Sequence, residues 1–237
     1  MRAVRVYKCD ARIAAKEDYS MGGLTTRVGG ICAALFAVLF AIGMVLLTDS
    51  PDSDAPDADY TKYVNDSGNL VRNIIGAYFV IVAVLVFLIF LAAIYRRLRN
   101  AEGEDGVWSL VVLVTGIVFV AMVMGGTVLL ASVAGAIKFG STPEPSPEIA
   151  RFLPQAGFGF LLLCGGLSAA LMSSVISFLI LRTGTLPVWL GYTGFIAALA
   201  MVFAFIFIPA VLFVLWMLAF GIVMIMRSEP GGAGAAA

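Results

Sequence analysis

Long uncharged runs alternate with short polar segments along most of the chain. Four runs, at 28–48, 73–95, 107–136 and 155–181, each have the roughly 20 residues that a helix needs to cross a bilayer. A fifth run, 186–226, has 41 residues and would measure about 60 Å as one helix, twice the thickness of a hydrocarbon core of about 30 Å. We therefore predict that it crosses twice and breaks at Pro209, because proline lacks an N–H and clashes with the preceding turn. The pattern predicts an all-α bundle of six transmembrane helices.

The polar segments divide the chain into three regions. We predict a cytoplasmic N-terminal arm at 1–27, a six-helix transmembrane domain at 28–227 and a flexible C-terminal tail at 228–237. Translation could start at Met1 or at Met21, since the sequence MGGLTTR leads directly into the first apolar run. Lysine and arginine set the orientation: eleven fall on the side that carries both termini and four on the other side. Both termini are therefore predicted to be cytoplasmic, in a multi-pass protein of a bacterial cell membrane.

Two of the loops carry local signals. The acidic segment 49–72 could be a calcium site, since carboxylate oxygens suit that ion, but its spacing is not that of an EF-hand and prolines interrupt it. We favour a solvated loop with a short helix at 58–65. In the next loop, Ser146 and Pro147 have the character of an N-cap and first helical position. They predict a short surface helix that ends before Pro154.

The residues offer little to catalysis. There is no histidine, and no charged side chain lies in the apolar interior of a predicted span, where ion-coupled transporters and pumps keep such groups. Net charge is zero, so nothing indicates a nucleic-acid partner. Cys32 and Cys164 lie in apolar runs and are interpreted as small packing residues. We predict no catalytic, cofactor-binding or metal-binding residue, no cofactor, and a lipid bilayer as the surroundings.

The fourth predicted span carries the clearest polar pattern. Small residues recur there at every fourth position, which lets helix backbones approach closely in a membrane. The alternative is a hydroxyl-lined substrate path, which a cavity lined by these serines would favour, whereas a covered face would favour packing. The candidate face consists of Gly165, Gly166, Ser168, Ala169, Ser173, Ser174 and Ser177.

A basic cluster follows the second span. Arg96, Arg97 and Arg99 are candidates for contacts with anionic lipid headgroups, each worth about 1 kcal/mol. The alternative is that they only fix the orientation of the span, as flanking arginines commonly do.

Three segments carry a resemblance: RTGTLPVWLGYTGF at 182–195, IPAVLFVLWMLAFGIVMI at 208–225, and YRRLR at the end of the second span. They resemble a group of actinobacterial six-helix integral membrane proteins known only as a domain of unknown function. The resemblance implies the six-helix plan over 28–227, and the group has no established activity that could be carried over. We expect a non-enzymatic integral membrane protein that acts through helix packing or partner contacts. The alternative is a small permease or lipid-handling protein for a neutral or apolar substrate, using the serine-lined fourth helix. Protein partners and oligomeric state stay open.

Overall fold

The computed structural model describes residues 26–48, 51, 54–103, 106–140, 145–203 and 208–227, and the regular structure in these ranges is helical. The arm predicted at 1–25 and the tail at 228–237 lie outside them. The helices are α1 (Thr26–Leu47), α2 (Asp57–Asn65), α3 (Ser67–Glu102), α4 (Val107–Phe139), α5 (Pro147–Phe158), α6 (Gly165–Thr183), α7 (Val188–Val202) and α8 (Ile208–Met226). A π-helical segment, Gly159–Cys164, joins α5 to α6 without a break.

Within the described ranges, four helices are long and apolar enough to cross a membrane: α1, α3, α4 and the continuous helix Pro147–Thr183. The prediction of an all-α membrane protein is thus confirmed at this level. The last two helices are shorter. At about 1.5 Å per residue, the 15 residues of α7 and the 19 of α8 measure about 22 and 28 Å, beside a hydrocarbon core of about 30 Å.

Two prolines stand in positions that the sequence did not predict. Pro154 lies inside α5, and the helix continues through it, so the expected end before Pro154 was wrong. Membrane helices tolerate proline where neighbouring helices and local π geometry compensate for the lost hydrogen bond. Pro209 is the second residue of α8, and α7 already ends at Val202. The 186–226 stretch therefore breaks before Pro209 and not at it. Proline is tolerated in the first turn of a helix, because the N–H it lacks would have no intrahelical partner there. The connecting residues 204–207 lie outside those described.

Neighbouring helices run antiparallel and touch through glycines. A Cβ built on Gly126 of α4 would lie 2.7 Å from the carbonyl oxygen of Gly157 in α5. A Cβ on Gly76 of α3 would lie 3.0 Å from the carbonyl oxygen of Gly43 in α1, and one on Gly221 of α8 would lie 2.6 Å from that of Gly30. Such contacts bring backbones together where lipid provides no hydrophobic drive for association.

Phenylalanine rings fill the centre between α1, α3, α4 and α8. The Phe87 ring lies 4.9 Å from that of Phe36 and 5.3 Å from that of Phe119, and the rings of Phe90 and Phe220 are 5.4 Å apart. These separations are typical of favourable tilted and edge-to-face aromatic pairs. They form the core on which the outer helices pack.

One end of the bundle is covered by α2, and we call it the cap end. Arg151 of α5 fixes α2 there: its Nη2 donates to Asp57 Oδ1 at 2.9 Å and to the Ala55 carbonyl at 2.8 Å. The Arg151 guanidinium also lies 4.8 Å from the centre of the Tyr60 ring, a cation–π distance. The short helix predicted at 58–65 is confirmed. Asp57 is paired with an arginine, whereas Asp49 and Asp52, which belong to the segment weighed as a calcium site, lie outside the described residues.

Candidate functional site

The small-residue face of α6 is covered by its neighbours. Gly165, Gly166, Ala169, Ser173 and Ser177 are buried, and Ser168 and Ser174 are half-buried. The hydroxyls of Ser173 and Ser174 donate to the backbone carbonyls of Ala169 and Ala170 at 2.6 and 2.8 Å. Ser168 donates to the carbonyl of Cys164 at 2.9 Å. Each of these hydroxyls donates its single hydrogen to a carbonyl four residues earlier in the same helix. These internal hydrogen bonds favour the packing interpretation over contact with a substrate.

Ser177 marks the junction of α6, α7 and α8. Its hydroxyl is buried and has no hydrogen-bond partner, and it lies directly against Gly194 of α7, where a side chain would overlap it. The Trp216 ring of α8 lies against the same position of Gly194, and its indole Nε1 donates to the carbonyl of Leu190 at 3.1 Å. Gly194 thus leaves the space that the Ser177 hydroxyl and the indole occupy. Sequence reasoning missed this junction, because it considered the serine face without the glycines of the facing helix.

The three arginines of the basic cluster have different surroundings at the end of the bundle opposite the cap, which we call the arginine end. Arg97 Nη2 donates to the Thr185 carbonyl at 2.8 Å and so joins α3 to the α6–α7 loop. The Arg99 side chain packs over Gly106, where a Cβ would overlap its guanidinium. Arg96 is exposed. Of the three arginines that were predicted to contact lipid headgroups, Arg96 is therefore the one with an exposed side chain.

Glu102 has a role that the sequence did not predict. Its Oε1 accepts from the Trp108 N–H at 2.9 Å, and its Oε2 accepts from the N–H and hydroxyl of Ser109 at 2.9 and 2.6 Å. A carboxylate at this position accepts hydrogen bonds from N–H groups that have no intrahelical partner at the start of a helix. Its negative charge also interacts favourably with the helix dipole. Glu102 therefore caps α4 from the end of α3.

An apolar crevice of about 150 Å³ lies in the cap-end half of the bundle, and we call it the lateral crevice. Phe119, Val123 and Phe213 are buried in its floor, whereas Val45 of α1 and Val211 of α8 are exposed at its rim. All its lining side chains are apolar. They are Phe40, Ala41, Met44, Val45, Phe119, Val123, Leu161, Leu162, Met201, Ala210, Val211, Phe213 and Val214.

The crevice lies on the cap-end side of the point where the backbones of α1 and α8 touch. At the arginine end, Gly30 and Gly221 bring the two backbones into contact. Nearer the cap end, no glycine pair joins these two helices among the described contacts, and side chains of both helices line the crevice. The opening therefore faces sideways, between two helices whose outer surfaces are apolar.

The π segment supplies another wall of the crevice. Leu161 and Leu162 are consecutive in the chain, and both are buried and line it. π-Helical turns are rare overall, but those that occur are often found at functional sites.

Cys164, at the end of the segment, is a free thiol and exposed, whereas Cys32 is free and buried in the core. The packing interpretation therefore holds for Cys32 and not for Cys164.

Comparisons with family models, with curated proteins and with solved structures find no match to this chain. Among the residues that the structure describes, no three His, Cys, Asp or Glu side chains are grouped so that they could hold a metal ion. The lateral crevice combines a buried apolar floor with an exposed apolar rim, so it is a candidate site for an apolar ligand.

Proposed function

We propose that the protein is a non-enzymatic integral membrane protein that holds one acyl chain of a lipid in the lateral crevice. The observation that carries this proposal is a crevice with a wholly apolar lining and a rim of exposed apolar side chains. Absence of histidine, and of charged side chains in the apolar interior of the spans, supports a role without catalysis. This proposal keeps the lipid-handling role that the sequence offered as its alternative. It differs in the site, because the serine-lined face of α6 serves helix packing and the lateral crevice holds the lipid.

The occupant follows from the surroundings of the opening. An apolar cavity of about 150 Å³ holds apolar guests and stays free of water, because water would find no hydrogen-bond partner there. Lipid tails are the molecules in contact with an opening between two membrane helices. Since a tail is already in hydrocarbon, the gain is not hydrophobic transfer. It comes from close dispersion contacts with side chains that an empty crevice would leave without partners.

The proposal includes six spans with both termini in the cytoplasm of a bacterial cell. Supporting it, α7 and α8 are antiparallel and apolar, and α8 approaches the length of a bilayer core. The eleven-to-four distribution of lysine and arginine supports the orientation. The crevice then lies in the outer leaflet. Membership of the actinobacterial group that the sequence resembles belongs to this proposal as well.

Photo-crosslinking in lipid nanodiscs tests the crevice. The protein is reconstituted with a phosphatidylcholine that carries a diazirine on one acyl chain, irradiated, and digested for mass spectrometry. We expect adducts concentrated on floor residues such as Met44 and Phe119, several-fold above those on lipid-facing residues elsewhere. Ala41→Phe fills the mouth from α1 and should remove the floor adducts.

The matched control is Ala92→Phe, which adds the same ring to an exposed position of α3 outside the crevice. It should leave the floor adducts unchanged. Adducts spread evenly over all exposed apolar positions, or floor adducts that persist in Ala41→Phe, would show that the crevice holds no lipid chain.

A further inference from the structure

A second, smaller cavity lies beneath the cap helix α2, between α3, α4 and α5. Its volume is about 20 Å³, and a cavity needs about 10–15 Å³ to admit one water molecule. Asn73 of α3 lines it together with Ala150 and Pro154 of α5. The cavity therefore has room for a single water and, unlike the lateral crevice, has polar groups among its lining residues.

The first polar group is the side chain of Asn73. The residue is 5% exposed, and its Oδ1 is buried and has no hydrogen-bond partner. A buried acceptor without a partner costs about 1–3 kcal/mol. Buried polar atoms in proteins are therefore usually paired, with protein groups or with ordered water.

The second polar group is the carbonyl of Ala150. In a regular α-helix it would accept from the N–H of residue 154, but proline has none to donate. The N–H of Ala150 does make its own bond, to the Ser146 carbonyl at 3.1 Å. Pro154 thus removes the usual helical donor to the Ala150 carbonyl, and both residues line this cavity.

We propose that one structural water molecule binds in the cavity and donates one hydrogen to Asn73 Oδ1 and the other to the Ala150 carbonyl. Water has two donors, and the site offers two acceptors: Asn73 Oδ1, which has no protein partner, and the Ala150 carbonyl, whose usual helical donor Pro154 lacks. Such a water would replace the helical bond that Pro154 removes and would link α3 to α5 under the cap. It also accounts for a helix that continues through Pro154. This proposal does not depend on the lipid-chain proposal.

A pair of substitutions in the full-length protein distinguishes a hydrated cavity from a dry one. Asn73→Leu removes the side-chain acceptor at nearly constant size. If water is bound, the variant loses the link and should melt several degrees lower in detergent. If the cavity is dry, leucine replaces an unpaired oxygen by an apolar group, and the melting temperature should stay or rise. Asn69→Leu, on the same helix but outside the lining, is the matched control.

The second substitution is Pro154→Ala, which restores an N–H that donates to Ala150. In that background the water has lost one of its acceptors, so Asn73→Leu should lower the melting temperature by less than half as much. Equal shifts in both backgrounds would overturn the proposal, since the two residues would then not share a water. A high-resolution structure of the unmodified protein gives an independent readout: density for one water between the two oxygens supports the proposal, and its absence overturns it.

Discussion

Gly126 and Gly125 offer a sharp test of how the bundle is held together. They are adjacent glycines in the middle of α4, and only Gly126 faces another backbone. A Cβ on Gly126 would lie 2.7 Å from the Gly157 carbonyl oxygen and 2.9 Å from the Leu161 Cβ. A Cβ on Gly125 would meet no atom within 4 Å. We expect Gly126→Ala to destabilise the protein and Gly125→Ala not to do so.

The magnitude follows from two terms. Replacing glycine by alanine inside a helix favours the folded state by up to about 1 kcal/mol, and this gain is common to both variants. The methyl at Gly126 must also push α5 away, and overpacking typically costs about 1–3 kcal/mol. The difference between the variants therefore isolates the packing cost, about 1–3 kcal/mol, or a factor of roughly 5 to 150 in the folding equilibrium.

Reversible unfolding by sodium dodecyl sulfate in mixed micelles, followed by tryptophan fluorescence, measures this difference. Gly125→Ala should unfold at the same or a higher detergent fraction than the unmodified protein, and Gly126→Ala at a clearly lower one. Equal midpoints for the two variants would refute the close approach of α4 and α5. That result would also mean that close backbone contact at Gly126 does not hold α5 against the bundle.

Two further predictions concern topology and the π segment. A reporter that is active only outside the cytoplasm should be silent when fused after Ala237 and active when inserted near Ser146; the opposite result would contradict six spans with both termini inside. Deleting Gly159 should convert the π segment to α-helix and leave the melting temperature within a few degrees, whereas deleting the exposed Leu171 from regular α6 should lower it strongly. Equal losses would show that the π segment does not accommodate an extra residue.

Much of the fold could be predicted from charge-free runs, because a membrane helix must satisfy its backbone internally and tolerates few charges. The ends of helices were less predictable. The second span was expected to end at Tyr95, yet α3 continues to Glu102, since arginines that follow a span can extend the helix beyond the apolar region. What ends α3 is local: Gly103 has a positive φ of 91°, which glycine adopts at little cost.

The candidate site was harder to predict, because its determinants are pairwise. Sequence alone shows small residues every four positions on one helix, but not which residues face them. Gly125 and Gly126 look equivalent in the sequence and have opposite roles in the structure. The lateral crevice is lined by residues of several helices, among them α1, α4 and α8, and no single segment carries that information. The serines, which did stand out, bond mostly to their own helix.

The π segment has a geometric explanation in the spacing of the residues that face α4. Gly157 and Leu161 both lie against Gly126, and eight residues after Gly157 a Cβ on Gly165 would lie 3.5 Å from the Val123 side chain. In a regular α-helix, with about 100° per residue, positions eight apart differ by about 80°, which turns the second position toward the edge of the face that the first one occupies. The i→i+5 bonds of the π segment take up one extra residue between them. Without that residue the two positions would be seven apart and only about 20° out of line. Deletion of Gly159 should therefore preserve both contacts, because a Cβ on this glycine meets no atom within 4 Å and its removal costs no packing. Leu171 lies where the helix is regular, and its deletion rotates one part of α6 by about 100° relative to the other, which turns buried small residues away from α4 and α7.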